Sequence, residues 1–335
     1  MKFVSNRGGQ EYKLDQQNSI FLLFIIFVAS YVTLIILFAN FSVIDDHTLT
    51  QTLFINKKIP WFISSENGRF YPLDAIDLNI LSALFKPNAY IFYTFNAILA
   101  IILVTCVYKS SNLILIENKL AYICVITILI SPAFITSFLR LFVPEKLESI
   151  FFAIFILSYT CFLHNKNQKL CFIIAIISAN IALYFKETAF ILLGCMAFFH
   201  LIFTLKNNNN RQKILDFLLF ISSGIWLIVY FVIVIMNKTT DARYGDTPFN
   251  QYIVLIKNTI SYILSEPFLF IGIPALIIFR IFLIIFRKNK INPLIRFSSP
   301  SFIYTPIIIS SSKYILISLP ITSLFIRNLP YHKLL

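Results

Sequence analysis

Glycine is scarce in this sequence, with 7 among 335 residues, and no glycine-rich stretch is arranged to cradle phosphates. A phosphate-binding loop needs successive backbone N–H groups clear of side chains. ATP-driven transport by this chain alone is therefore excluded. Cysteine is scarce too. Cys106, Cys124, Cys161, Cys171 and Cys195 all fall in apolar runs without paired spacing, so no disulfide or metal framework is expected. His47 follows two aspartates, but no second histidine shares its loop at ligand spacing, which argues against zinc. No serine or cysteine stands in a recognisable nucleophile context. Charged residues make up 13% of the chain, and 15 acids face 28 Lys and Arg.

What the chain has in abundance is apolar surface. It is 58% hydrophobic, with 37 Phe and a mean hydropathy of +0.81. Apolar runs fall at 20–44, 89–108, 120–139, 149–163, 170–185, 188–205, 217–236 and 267–286, with a less regular one at 302–326. Most approach the ~20 residues needed to cross ~30 Å of hydrocarbon. The pattern predicts an all-α, polytopic transmembrane bundle of about nine spans. A β-barrel would show alternating strands of ~10 residues instead. The run 20–44 is too long for a signal-peptide core and reads as a retained span. Pro132 is expected to bend the third run. Lys186-Glu187 reads as a tight turn between two spans.

Placing the amino terminus in the cytoplasm assigns a side to every connection. Inner segments then hold 15 Lys and Arg against 4 Asp and Glu, and outer segments hold 10 against 11. That is the asymmetry of the positive-inside rule. It accounts for the net charge of +13 without a nucleic-acid partner. Since the inner cations fix orientation, the outer acids are available for another role.

The first outer connection, 45–88, is the richest. Asp45 and Asp46 stand at the mouth of the first span. Glu66, Arg69, Asp74 and Asp77 surround the string Asn67-Gly68-Arg69-Phe70-Tyr71-Pro72. Two juxtamembrane helices are expected there: Asp46–Lys57, capped by Asp45 or Asp46, and Leu73–Phe85, with Leu73, Ile76, Ile80, Leu81 and Leu84 on one apolar stripe. Either Asp45 or Asp46 suits a general base, against the plainer reading of a helix cap. Arg69 offers a planar fork for phosphate oxygens, against the plainer reading of a surface ion pair. Arg140, Glu145, Lys186 and Arg243 share the outer side. The segment 237–266 is expected to include an interfacial helix.

Three features resemble the GT-C superfamily of integral-membrane glycosyltransferases, which includes protein O-mannosyltransferases and lipid A aminoarabinose transferases. An acidic pair, Asp45-Asp46, follows the first span. A long first outer loop carries Gly68-Arg69-Phe70 between two candidate helices. Lys186-Glu187-Thr188-Ala189 lies at the outer end of a later helix. The resemblance covers roughly residues 15–240. It implies a polyprenyl-phosphate sugar donor and a glycan or lipid acceptor. Asp45 or Asp46 would be the catalytic acid residue, Arg69 and Lys186 phosphate ligands, and Glu187 a supporting group.

On that basis residues 1–290 form a glycosyltransferase-like membrane domain, and 291–335 a tail with one further span. The chain is expected to be a short or truncated member of the family. The expected location is a bacterial inner membrane, with the active face periplasmic. Arg140 and Glu145 join Arg69, Lys186 and Glu187 as candidate substrate-binding residues. No cofactor is required by the sequence, and a divalent metal is left open. The competing readings are an O-antigen polymerase and a lipid-linked oligosaccharide flippase or other transporter.

Overall fold

The computed structural model describes residues 7–41, 45–55, 57–65, 68–114, 118–164, 167–187, 189–204 and 210–237. The expected spans at 267–286 and 302–326, the interfacial segment with Arg243, and the tail all lie outside the described residues.

Among the described residues there are ten α-helices and one short hairpin. In chain order they are α1 (Arg7–Leu37), α2 (Asp45–Phe54), β1 (Phe62–Ser64), β2 (Arg69–Tyr71), α3 (Ile76–Phe85) and α4 (Ala89–Ile114). There follow α5 (Asn118–Leu129), α6 (Pro132–Phe138), α7 (Pro144–Leu163), α8 (Gln168–Leu183), α9 (Ala189–Thr204) and α10 (Asn210–Tyr230), which runs on into a π-helical turn, Phe231–Ile235. Among the described residues three segments are long and apolar enough to cross a membrane: Ala89–Leu113, Pro144–Leu163 and Asn210–Ile235. Phe21–Leu37, Gln168–Leu183 and Ala189–Ile202 are shorter apolar helices, as is Ile76–Phe85 in α3.

The central helix is α7, which packs on α8 and α4, while α9 pairs with α10 and α1 with α4. In its apolar window 72% of residues are buried, against 22% for α10. Helix α10 instead turns Phe217, Phe220, Ile225, Leu227 and Ile228 outward. A contiguous apolar face of this kind is stable against lipid and costly in water. Helices α9 and α10 approach closely at Gly194, where an added Cβ would come within 3.2 Å of Ser223 Cβ.

Several expectations change in detail. The run 120–139 is two helices, because Pro132 has no N–H to continue α5. Instead Pro132 opens α6, and the Ser131 hydroxyl accepts from Phe134 N–H as the cap. The first juxtamembrane helix runs from Asp45 to Phe54, so it ends three residues before the expected Lys57. The second begins only at Ile76, after a left-handed Ala75 (φ 57°). Its stripe is split: Ile76, Ile80 and Leu84 are exposed, Leu73 and Leu81 pack against the core, and Asp77 and Leu78 are buried. An ion pair for Asp77, described below, offsets the desolvation of that carboxylate. The hairpin was not expected at all. Phe62, Ile63 and Ser64 pair antiparallel with Tyr71, Phe70 and Arg69.

Candidate functional site

The hairpin brings the first candidate residue into place. Side chains alternate across a strand, so Phe70 points one way and Arg69 and Tyr71 the other. Phe70 is buried, with ring centroids 5.7 Å from Trp226 and 6.4 Å from Tyr230. Gly68 takes a φ of 65°, a region cheap only for glycine. Its carbonyl accepts a 3.0 Å hydrogen bond from the Tyr230 hydroxyl. Leu73 N–H donates to the Tyr184 carbonyl at 3.2 Å. The loop is thereby fastened to the ends of α8 and α10.

Arg69 and Tyr71 then face the α8–α9 turn. Arg69 Nη1 lies 2.9 Å from Glu187 Oε1, with the arginine side chain 42% exposed and the glutamate 18%. The Tyr71 ring sits between two cations, 5.8 Å from the Arg69 guanidinium and 5.9 Å from Lys186 Nζ. Burial, then the Glu187 charge, push the Tyr71 phenol up to about 12, so it stays a neutral donor. Lys186 Nζ donates to Glu145 Oε1 at 2.6 Å, and Glu145 is fully buried on the first turn of α7.

Deeper still, Lys146 is held by three oxygens: Asn96 Oδ1 at 2.7 Å, the Leu141 carbonyl at 3.3 Å and Asp77 Oδ2 at 3.5 Å. Asn96 also donates to the Phe138 carbonyl at 3.1 Å, and Tyr93, one turn earlier on α4, donates to the Leu139 carbonyl at 2.9 Å. These two polar side chains fix the α6–α7 connection. Glu148, one turn along α7 from Glu145, is fully buried, and neither carboxylate oxygen has a hydrogen-bond partner among the described residues.

Asp74 completes the cluster. Its Oδ1 accepts from Ala75 N–H at 2.9 Å. Burial first, and the neighbouring Asp77 charge second, raise its carboxyl from 3.8 to about 7. The folded protein therefore holds this proton more tightly than the unfolded chain. Stability falls as pH rises from about 4 to about 7 and levels off above that. Asp74→Asn is expected to remove this slope and gain on the order of a few kcal/mol at pH 8 relative to pH 5. Thermal unfolding of both proteins at the two pH values measures it, and an unchanged slope in the variant would refute the assignment.

Five carboxyls (Asp74, Asp77, Glu145, Glu148, Glu187) thus meet three cations (Arg69, Lys146, Lys186) at one end of the bundle. Of the residues expected from sequence, Arg69, Glu145, Lys186 and Glu187 are brought together. Arg140 lies between α6 and α7 at the same end, with its carbonyl 3.5 Å from Asn96 Nδ2. The side chains of Asp45 and Asp46 lie outside the described residues; α2 itself seats Leu53 in the core. Sequence reasoning passed over Lys146, Glu148 and Asn96. A lone amide in the run 89–108 and two charges inside the first turn of a span were the available signals.

Beside the cluster, α3 and α4 enclose an apolar groove of about 370 Å³, lined by Leu81, Phe85, Tyr90, Ile91, Thr94, Phe95 and Ile98. Leu81 and Phe85 are one and two turns along α3 from Asp77. Among the described residues no three His, Cys, Asp or Glu side chains are grouped to hold a metal ion. Compared with protein-family models, curated proteins and solved structures, the chain matches none.

Proposed function

We propose that this chain is a membrane glycosyltransferase that moves a sugar from a polyprenyl phosphate to a glycan or lipid acceptor. The observation that carries the reading is the gathering of charged residues from three separate connections at one end of an apolar bundle. Buried ionisable groups in a membrane-type bundle are costly, and where a chain keeps them they mark a functional site by default. The apolar groove along α3 and α4 supports the reading further, since it suits a prenyl chain whose phosphate lies toward the cluster.

In this mechanism the acceptor hydroxyl attacks the anomeric carbon, and the bond from that carbon to the phosphate oxygen breaks. Asp45 or Asp46 takes the hydroxyl proton. Arg69 meets the phosphate, because its guanidinium is the most exposed cation of the three. Glu187 orients that guanidinium until the donor arrives. Lys186, held by Glu145, adds positive charge behind it, and Arg140 contributes from the α6–α7 connection. Such preorganised charge is strongest where water is excluded. The location proposed is a bacterial inner membrane with the site on the periplasmic face.

The test is transfer from a radiolabelled polyprenyl-phosphate sugar in isolated membranes. The double variant Asp45→Asn, Asp46→Asn is expected to abolish transfer with expression intact; full activity there removes the mechanism. Arg69→Ala is expected to raise KM for the donor.

One observation favours transport instead: Tyr159, His200 and Asp216 form a buried network inside the apolar helices, as in polar transport sites within spans. Cysteine labelling at position 69 separates the two. Reaction from one side only fits the enzyme, and reaction from both sides in turn fits a carrier.

A further inference from the structure

The end of the bundle opposite the charged cluster carries a second cavity, also about 370 Å³. Its walls come from the last turn of α7 (Phe162), the first turns of α8 (Phe172, Ile173) and the start of α10 (Ile214). Helix α7 has 20 residues, so at 1.5 Å per residue the two sites lie about 30 Å apart, one hydrocarbon thickness.

The cavity is apolar along its length and basic at its mouth. Ile173 and Ile214 are each 52% exposed, so the groove opens sideways to the surroundings of the bundle. Lys169 and Arg211 stand at its rim. Arg211 Nη1 donates to Gln168 Oε1 at 2.8 Å, which ties the guanidinium across the α8–α10 junction. Among the described residues no carboxylate lines the cavity. The acid close by on α10, Asp216, is fully buried and is engaged by Tyr159 and His200. Among the described residues, therefore, two cations face an apolar groove with no acid paired to either.

We infer that this groove is a binding site for an anionic phospholipid, its acyl chain along Phe172, Ile173 and Ile214 and its phosphate between Lys169 and Arg211. A neutral solute would leave the two cations uncompensated, and a small free anion would leave the apolar groove empty. A lipid phosphate satisfies both, as basic pockets between spanning helices do for anionic headgroups. The site is independent of the sugar-transfer reading: it shares no residue with the charged cluster.

The experiment places a benzophenone amino acid at position 173 and reconstitutes the full chain in phosphatidylcholine vesicles with a minor fraction of phosphatidylglycerol. Irradiation followed by intact-mass measurement identifies the adduct. Phosphatidylglycerol is expected to be enriched on the order of tenfold over its share of the bilayer. The double variant Lys169→Gln, Arg211→Gln is expected to return it to that share. If that variant does not fold, the parent chain at molar salt serves instead, because screening weakens rim charges and should cut the enrichment. Adducts in proportion to bilayer composition, adducts to protein, enrichment that survives both treatments, or enrichment abolished by millimolar inorganic phosphate would each overturn the proposal.

Discussion

Replacing Lys146 with methionine is expected to destabilise the protein by about 3–5 kcal/mol, the usual cost of breaking a buried ion pair from one side. The methionine fills the space of the lysine stem, so the loss is electrostatic rather than a cavity. Lys146 is 1% exposed, and its pair Asp77 is 8% exposed. Without the ammonium, Asn96 Oδ1 and the Leu141 carbonyl lose their shared donor, and the Asp77 carboxylate loses its ion-pair partner. An unpaired buried charge is then either kept at high cost or neutralised by taking up a proton. Adding Asp77→Asn to the methionine variant removes the uncompensated charge and is expected to recover much of the loss. A thermal or chemical unfolding cycle over the four proteins reads the coupling directly. A single variant within about 1 kcal/mol of the parent would mean the pair is solvated in solution and the cluster is open.

The second large effect is expected from Asp216→Leu. Asp216 Oδ1 accepts from the Tyr159 hydroxyl at 2.6 Å and Oδ2 from His200 Nδ1 at 2.6 Å. Gln212 Nε2 lies 3.1 Å from His200 Nε2. An amide NH₂ donates, so Nε2 is the acceptor and the ring proton sits on Nδ1, facing Asp216; this tautomer follows from the network. Leucine removes both carboxylate acceptors and leaves the Tyr159 hydroxyl and His200 Nδ1, 2.7 Å apart, with a neutral contact to each other in place of two bonds to a charged group. Two lost bonds to a carboxylate suggest about 2–4 kcal/mol, the lower part applying if the unfolded helices find other partners in lipid. Asp216→Asn keeps one acceptor and is expected to cost about half as much. Unfolding in detergent, with Tyr159→Phe as the paired substitution, distinguishes this from a packing loss. Equal costs for Leu and Asn at 216 would show that the hydrogen bonds contribute little.

Hydropathy located most of the helices because lipid-length apolar runs are hard to disguise. Helices α8 and α9 fall on their predicted runs almost residue for residue, while α4, α7 and α10 extend beyond theirs at one end into polar sequence. The misses occur where one short signal competes with a long one. Pro132 divides a run that hydropathy averages over. The loop 65–68 contains Asn67-Gly68 between Phe62-Ile63-Ser64 and Arg69-Phe70-Tyr71, a strong hairpin signal that helical periodicity nearby obscured. The stripe on α3 is divided by the structure: Leu73 and Leu81 pack against the core while Ile76, Ile80 and Leu84 are exposed. The inward face also carries Asp77, which periodicity of apolar residues alone does not report, and its partner there is Lys146.

The candidate site was legible in part. Topology placed Arg69, Glu145, Lys186 and Glu187 on one side, and the structure pairs them two by two. What the sequence held back was depth. Lys146 and Glu148 are within three residues of Glu145, yet they lie behind the ion pairs that reach the surface. Burial of that kind depends on which face of α7 meets α4 and α8, and no local pattern reports it.

The bond from Tyr230 to the Gly68 carbonyl spans 162 positions of the chain. A nascent polypeptide synthesised from its amino terminus carries Arg69 long before it carries the anchor that seats it. Until α10 emerges and docks, the strand bearing that guanidinium has its α8 anchor, Leu73 N–H on the Tyr184 carbonyl, but not the one from α10. The centre is therefore finished late in biogenesis, and a chain cut before Tyr230 retains every charged residue of the cluster while lacking the clasp that closes it.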